Sequence, residues 1–172
     1  LGEKGYVSFA FSLKNIGLEV KAALIVSLVA AIPTFIYNPS NRELLSSSIP
    51  PSKLLLSIPV SLAYFLLLVG IPEEFFFRAF LQESAMQLLN SETAGLILSC
   101  LVFAYLHIPS IAGWYEIPFV EALARATMIQ ATLGLTLGLL WERTRSLTPP
   151  IILHTVIDAS SNLHLIVQLL SG

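Results

Sequence analysis

The sequence predicts an all-α fold, a polytopic bundle of transmembrane helices with a small set of ionisable residues enclosed between them. Three observations predict it. Apolar residues make up 55% of the 172 positions and charged residues only 12%, far from the balance of a water-soluble domain. Apolar runs long enough to cross a hydrocarbon core of about 30 Å recur along the chain. The acids and histidines that interrupt those runs gather in three short clusters instead of scattering.

Taken in order, residues 1–19 are mixed and amphipathic, an expected interfacial segment, and residues 20–172 form the membrane domain. Val20 to Tyr37 is almost wholly apolar and gives the first span. Asn38 to Pro51, rich in Ser, Pro and Asn, is expected to be a loop. Lys53 to Ile71 gives a second span, ended by Pro72, because proline disfavours helix in the residue before it. Glu73 to Leu89 is a further helix that crosses, half-enters or lies at the interface. Thr93 to Ile111 spans with His107 near its end. Glu121 to Trp141 spans with Gly134 and Gly138 as a GxxxG face for close helix packing. Thr148-Pro149-Pro150 is a good helix start, since threonine caps and proline suits the first turn, and a last span follows to Leu170.

With the Glu73 helix not counted as a full crossing, the spans number five. Lys4, Lys14, Lys21, Arg78, Arg143 and Arg145 then lie on the N-terminal side against Arg42 and Lys53 opposite, so the positive-inside rule favours a cytoplasmic N-terminus. The chain starts at Leu1, not Met, as expected of a chain trimmed at its start. The net charge of -2, from nine basic and eleven acidic residues, is spread without a basic patch, so nucleic acid is not an expected partner. A single cysteine, Cys100, excludes a disulfide framework and reads as a packed core residue.

Ionisable groups inside spans cost roughly 2.5 to 3.5 kcal/mol each at mid-membrane, so their presence is a functional signal. The first cluster runs from Glu73 and Glu74 to Arg78, the second from Phe103 to His107, the third from His154 to Asp158. Glu74 and Arg78, four apart on one helical face, are oriented for an ion pair, while Glu73 points about 100° away. Taken alone, this cluster also fits an interfacial helix start. His154 and Asp158 lie one turn apart and address one point. Jointly, Glu73 with His107 is suited to orient a water and take its proton, and His154 with Asp158 to polarise a carbonyl oxygen. The same atoms of Glu73, His107, His154 and Asp158 are acceptable ligands for a divalent metal such as zinc. Both readings fit the residues.

Three clusters in this order on successive hydrophobic segments resemble the CPBP family of intramembrane proteases, which includes the type II CAAX prenyl endopeptidases and bacteriocin-processing or immunity proteins. The family's EExxxR is met by Glu73, Glu74 and Arg78, its FxxxH by Phe103 and His107, and its HxxxN/D by His154 and Asp158. The resemblance runs from about Leu54 to Leu165. It implies that Glu73 activates water with His107 as partner, that Arg78 fixes Glu74, and that His154 and Asp158 hold the oxyanion or complete a metal site. It implies peptide hydrolysis within the membrane, on a prenylated or other membrane-associated peptide. Two departures stand out: Ala79 where many members have glycine, and Asp158 where the prenyl proteases typically carry asparagine, a neutral donor replaced by a group that donates only when protonated.

Other assignments account for less. A non-catalytic interaction or immunity protein of the same fold is the main alternative. A haem between His107 and His154 leaves Glu73 and Arg78 unexplained, and no inverted repeat supports a transporter. His164, about 80° off the face of His154, reads as a helix-end polar residue. Glu121 and Arg125 read as an interfacial ion pair.

Overall fold

The computed structural model describes residues 16–46 and 49–171. The expected amphipathic segment, up to residue 15, lies outside them. Among the described residues the chain is helical, with no strand: α1 (Ile16–Tyr37), α2 (Pro39–Ser46), α3 (Pro51–Leu89), α4 (Glu92–Leu106), α5 (Ile108–Tyr115), α6 (Phe119–Thr144), α7 (Thr148–Ser161) and α8 (Leu163–Leu169). Four helical stretches are long and apolar enough to cross a membrane, and the α7–α8 pair makes a fifth if taken as one bent span. Large apolar side chains stand out on these helices, Leu28 at 64% and Leu67 at 62% exposure among them. Such side chains are at home in lipid, and the backbone bonds that lipid cannot supply are made inside each helix.

Three expectations change. Pro72 does not end a helix: α3 runs 39 residues through it, roughly 58 Å at the α-helical rise. Two π-helical segments, Leu66–Gly70 and Phe75–Gln82, flank it, and the Ile71 N–H bonds the Leu66 carbonyl five residues back. The wider turn before Pro72 takes up the shift that its ring and missing donor demand, an adjustment seen at prolines in membrane helices. The expected loop after Asn38 holds the short helix α2. Asn38 starts it, its Oδ1 accepting from the Ser40 N–H at 2.9 Å and its carbonyl from Arg42 N–H at 3.2 Å, with Pro39 in the first turn. The last span is not straight. It breaks at Asn162, and α8 turns 61° from α7.

The break at Asn162 is held from α2 and the end of α1. Asn41, fully buried, donates through Nδ2 to the carbonyls of Ser160 at 2.7 Å and Ser161 at 2.9 Å, and its Oδ1 accepts from the His164 N–H at 3.0 Å. Asn38 Nδ2 adds a bond to the Ser161 carbonyl at 2.6 Å. The backbone groups that a bend exposes thus find amide partners, as buried polar groups must. His164 belongs to this joint, at a helix start.

The described chain divides into two compact units, with the division between Glu73 and Glu74 and again between Leu147 and Thr148. In the unit formed by α1, α2, α3 up to Glu73, α7 and α8, α1 packs on α7 through small residues. Ala23 and Ser27, one turn apart, are buried on that face, and Thr34 meets Ser160 side chain to side chain at 2.8 Å. In the unit from Glu74 to Leu147, α6 lies on α4 where the two glycines allow it. A Cβ at Gly134 would stand 3.0 Å from the Phe103 ring, and one at Gly138 only 2.5 Å from Leu96 and 2.9 Å from the Gln82 amide oxygen. The GxxxG face therefore serves packing within the chain. Cys100 is buried in that core, its thiol donating to the Ala131 carbonyl at 3.0 Å. Glu121 and Arg125 pair at 2.9 Å on the exposed surface.

Candidate active site

Glu73, His154 and Asp158 come together in the first of these units. Glu73 is the residue after Pro72, at the short α-helical stretch Ile71–Glu74 between the two π segments. His154 and Asp158 lie one turn apart on α7, whose first turn holds the buried Pro149 and Pro150. Glu73 Oε2 lies 4.0 Å from His154 Nε2, and Asp158 Oδ2 lies 3.4 Å from the same nitrogen. Two carboxylates thus face one imidazole nitrogen. The imidazole is 2% exposed, whereas Glu73 is 30% and Asp158 23% exposed. The ring is fixed in the core, the two acidic residues are partly exposed, and the Glu73 Oε2 that faces the ring is buried. With a proton on Nε2, His154 is a donor toward the two carboxylates.

The other unit carries Glu74, Arg78 and His107. Arg78 Nε donates to Glu74 Oε2 at 2.9 Å, and both side chains are fully buried. The expected pair forms even though the helix there is π-helical. Arg78 also donates through Nη1 to Ser99 Oγ at 3.4 Å, and Ser99 Oγ donates to the Phe77 carbonyl at 2.9 Å. The guanidinium carbon lies 5.1 Å from the Phe103 ring centre, a cation–π distance. Phe103 then stacks on His107 at 4.7 Å between ring centres. His107 Nδ1 lies 2.7 Å from the Phe103 carbonyl. A carbonyl only accepts, so Nδ1 carries the proton, and in the neutral ring Nε2 keeps its lone pair. The second motif therefore has a physical reason: four residues before the histidine, Phe103 supports the ring with its side chain and sets its tautomer with its backbone. The two histidines present opposite characters, an acceptor at His107 Nε2 and a donor at His154 Nε2.

Imidazole and carboxylate donors suit zinc, but among the described residues no group of three or more His, Cys, Asp or Glu side chains is gathered to hold a metal ion.

Residues 55–160 match the family described as type II CAAX prenyl endopeptidase, Rce1-like. The chain belongs to that family. The match covers more than half of the chain and takes in all three clusters, from Glu73 to Asp158. No curated protein and no solved structure matches the chain. Membership in the CAAX endopeptidase family and several long apolar helices together make this an integral, multi-pass membrane protein with a protease-like character of the CAAX type. In this family member the third motif ends in Asp158, whose carboxylate faces His154 across 3.4 Å.

Several contributing residues escape a reading of motifs. Ser99 links Arg78 to the Phe77 backbone, and the spacing of Ser99, Phe103 and His107 by four along α4 is a signal that marks it. Gln82, four after Arg78 and fully buried, extends the polar stripe of Glu74 and Arg78 and donates to the Gly138 carbonyl at 3.3 Å. Asn41 carries no local signal, because its partners lie about 120 residues away in sequence.

Proposed function

We propose that this chain hydrolyses a peptide bond in a prenylated, CAAX-like or otherwise membrane-associated peptide, with Glu73 as the general base. The observation that carries the reading is the placement of the Glu73 and Asp158 carboxylates about one buried nitrogen, His154 Nε2. At 4.0 Å Glu73 and His154 are too far apart for a direct hydrogen bond. A water held by the carboxylate and a peptide carbonyl oxygen held by the imidazole N–H bring the water oxygen toward the carbonyl carbon, the two atoms that bond in hydrolysis.

The steps follow from the donors and acceptors. Glu73 takes a proton from the water while the water oxygen bonds to the scissile carbon. His154 Nε2–H donates to the carbonyl oxygen as charge develops there, a contribution that grows in a dry site. Collapse of the tetrahedral species breaks the C–N bond, and the proton held by Glu73 passes to the leaving nitrogen, giving a carboxylic acid and an amine. Asp158, an acceptor when ionised, keeps the proton of His154 on Nε2 instead of donating to the oxyanion itself. His107 is a second functional imidazole, its Nε2 lone pair set by the Phe103 carbonyl. Glu74 and Arg78 are positioning residues that fix the helix following Glu73. The distribution of basic residues supports a cytoplasmic N-terminus, and in a prokaryote the membrane is the cell membrane.

The test is cleavage of a farnesylated reporter peptide by the purified protein in detergent micelles, read by mass spectrometry. The wild-type chain should cleave it and Glu73→Gln should not, with unfolding midpoints alike. Equal cleavage by both overturns the assignment, and a wild-type chain that cleaves no membrane peptide yet protects a partner points to the non-catalytic alternative. Zinc content measured on the same samples tests the metal: stoichiometric zinc lost together with turnover would move the chemistry onto an ion.

A further inference from the structure

We infer that the contact between Gly70 and Thr155 sets the distance between Glu73 and His154, making both of them positioning residues for the reaction. The inference rests on the proposed hydrolytic role of that pair. Gly70 is buried at the end of the π segment that precedes Pro72, three residues before Glu73. Thr155 is 5% exposed and follows His154 directly. A Cβ built on Gly70 would collide with Thr155 Oγ1 and would also stand 3.5 Å from the Ile151 carbonyl and 3.4 Å from the Phe65 carbonyl. Two of these three neighbours are on α7, and the third is the helix's own backbone.

The two helices thus approach closely within a turn of the positions that carry the two functional side chains. A second contact, Ser61 Oγ to the Ala159 carbonyl at 3.2 Å, joins the same helices further back. Ser61 with Ala159 and Gly70 with Ile151 and Thr155 make the pairing antiparallel. With the far contact as anchor, any side chain at position 70 pries the helices apart at the Glu73 end. Thr155 Oγ1 makes no hydrogen bond and is buried. Its place is held by shape, against the hydrogenated face of a glycine, and not by a polar partner.

A Cβ at position 70 would crowd Thr155 Oγ1, so with that hydroxyl held in place an alanine there shifts the Thr155 segment of α7. A misplacement of about 1 Å costs on the order of 10²-fold in rate when the reacting groups must meet closely. The experiment compares wild type, Gly70→Ala, Thr155→Ala and the Gly70→Ala/Thr155→Ala double variant, using the farnesylated reporter in micelles. Gly70→Ala should lower kcat by about 10²-fold with little change in KM. Thr155→Ala placed on top of it removes Oγ1, makes room for the new methyl, and should restore kcat to within about tenfold of wild type. Thr155→Val, which keeps the volume, should not restore it. The unfolding midpoint should fall in Gly70→Ala and recover in the double variant.

A Gly70→Ala chain that turns over normally overturns the inference, as does a folded double variant no faster than Gly70→Ala. Should Gly70→Ala fail to fold alone, the double variant decides by itself: folded and active supports the contact, folded and inactive overturns it. A wild-type chain with no turnover at all instead removes the hydrolytic reading, a result distinct from active wild type with indifferent variants.

Discussion

Removing the Arg78 guanidinium should destabilise the fold by about 4 kcal/mol, because it strips the countercharge from a carboxylate with no access to solvent. The Glu74–Arg78 pair is 2.9 Å long with both side chains at 0% exposure. Breaking such a pair from one side costs about 3–5 kcal/mol, since the remaining charge stays buried. The cation–π contact with Phe103 at 5.1 Å is on the order of 1 kcal/mol and falls within that range. Replacing both partners with apolar residues of similar volume is different, because the desolvation penalty disappears with the attraction. Glu74→Leu/Arg78→Met should therefore lie within about 2 kcal/mol of wild type, while Arg78→Ala alone falls by about 4 kcal/mol. The assay is equilibrium unfolding in mixed detergent micelles followed by tryptophan fluorescence, with Trp141, 1% exposed, as the buried reporter. A loss under about 1 kcal/mol for Arg78→Ala would refute the reasoning. So would a double variant no more stable than Arg78→Ala, because the burial of a lone charge would then not be what matters.

Other outcomes follow from the same geometry. His107→Gln should lower kcat on the order of 10²-fold or more with KM little changed, and an unaffected kcat would exclude His107 from the chemistry. Asp158→Asn still offers an acceptor oxygen to His154 and should retain far more activity than Asp158→Ala; equal losses would deny the carboxylate its role in holding the proton on Nε2. Asn41→Leu strips partners from the Ser160 carbonyl and the His164 N–H, at about 1–3 kcal/mol for each buried group. The expected loss in the unfolding assay is thus about 2–6 kcal/mol, and a neutral result would mean that the bend between α7 and α8 is held by something else.

The helical class and the third motif were legible because each depends on short-range spacing. Apolar runs of bilayer length identify spans without tertiary information, and residues four apart on a helix share a face, so the approach of His154 to Asp158 and of Arg78 to Glu74 follows from the chain alone. Pro72 misled for a physical reason. The rule that proline ends a helix assumes α-helical turns before it, and π turns at Leu66–Gly70 change that geometry. The break at Asn162 has only a short polar run, Ser160-Ser161-Asn162, to mark it within the last apolar stretch, and the amides that stabilise it come from the distant Asn38 and Asn41. The closeness of Gly70 to Thr155 is likewise a property of two distant segments, which no periodicity in either one contains.

The central claim is that Glu73 and His154 act on one reacting group together, and a double-variant cycle on kcat/KM tests it most directly. Glu73→Gln, His154→Gln and the pair should be measured with the farnesylated reporter. Groups that work as a unit lose their joint contribution when either is removed. The account predicts that the double variant cleaves no more slowly than the slower single variant. Losses that multiply, so that the double variant falls by the product of the two single effects, would contradict it and show two independent contributions in place of one shared site.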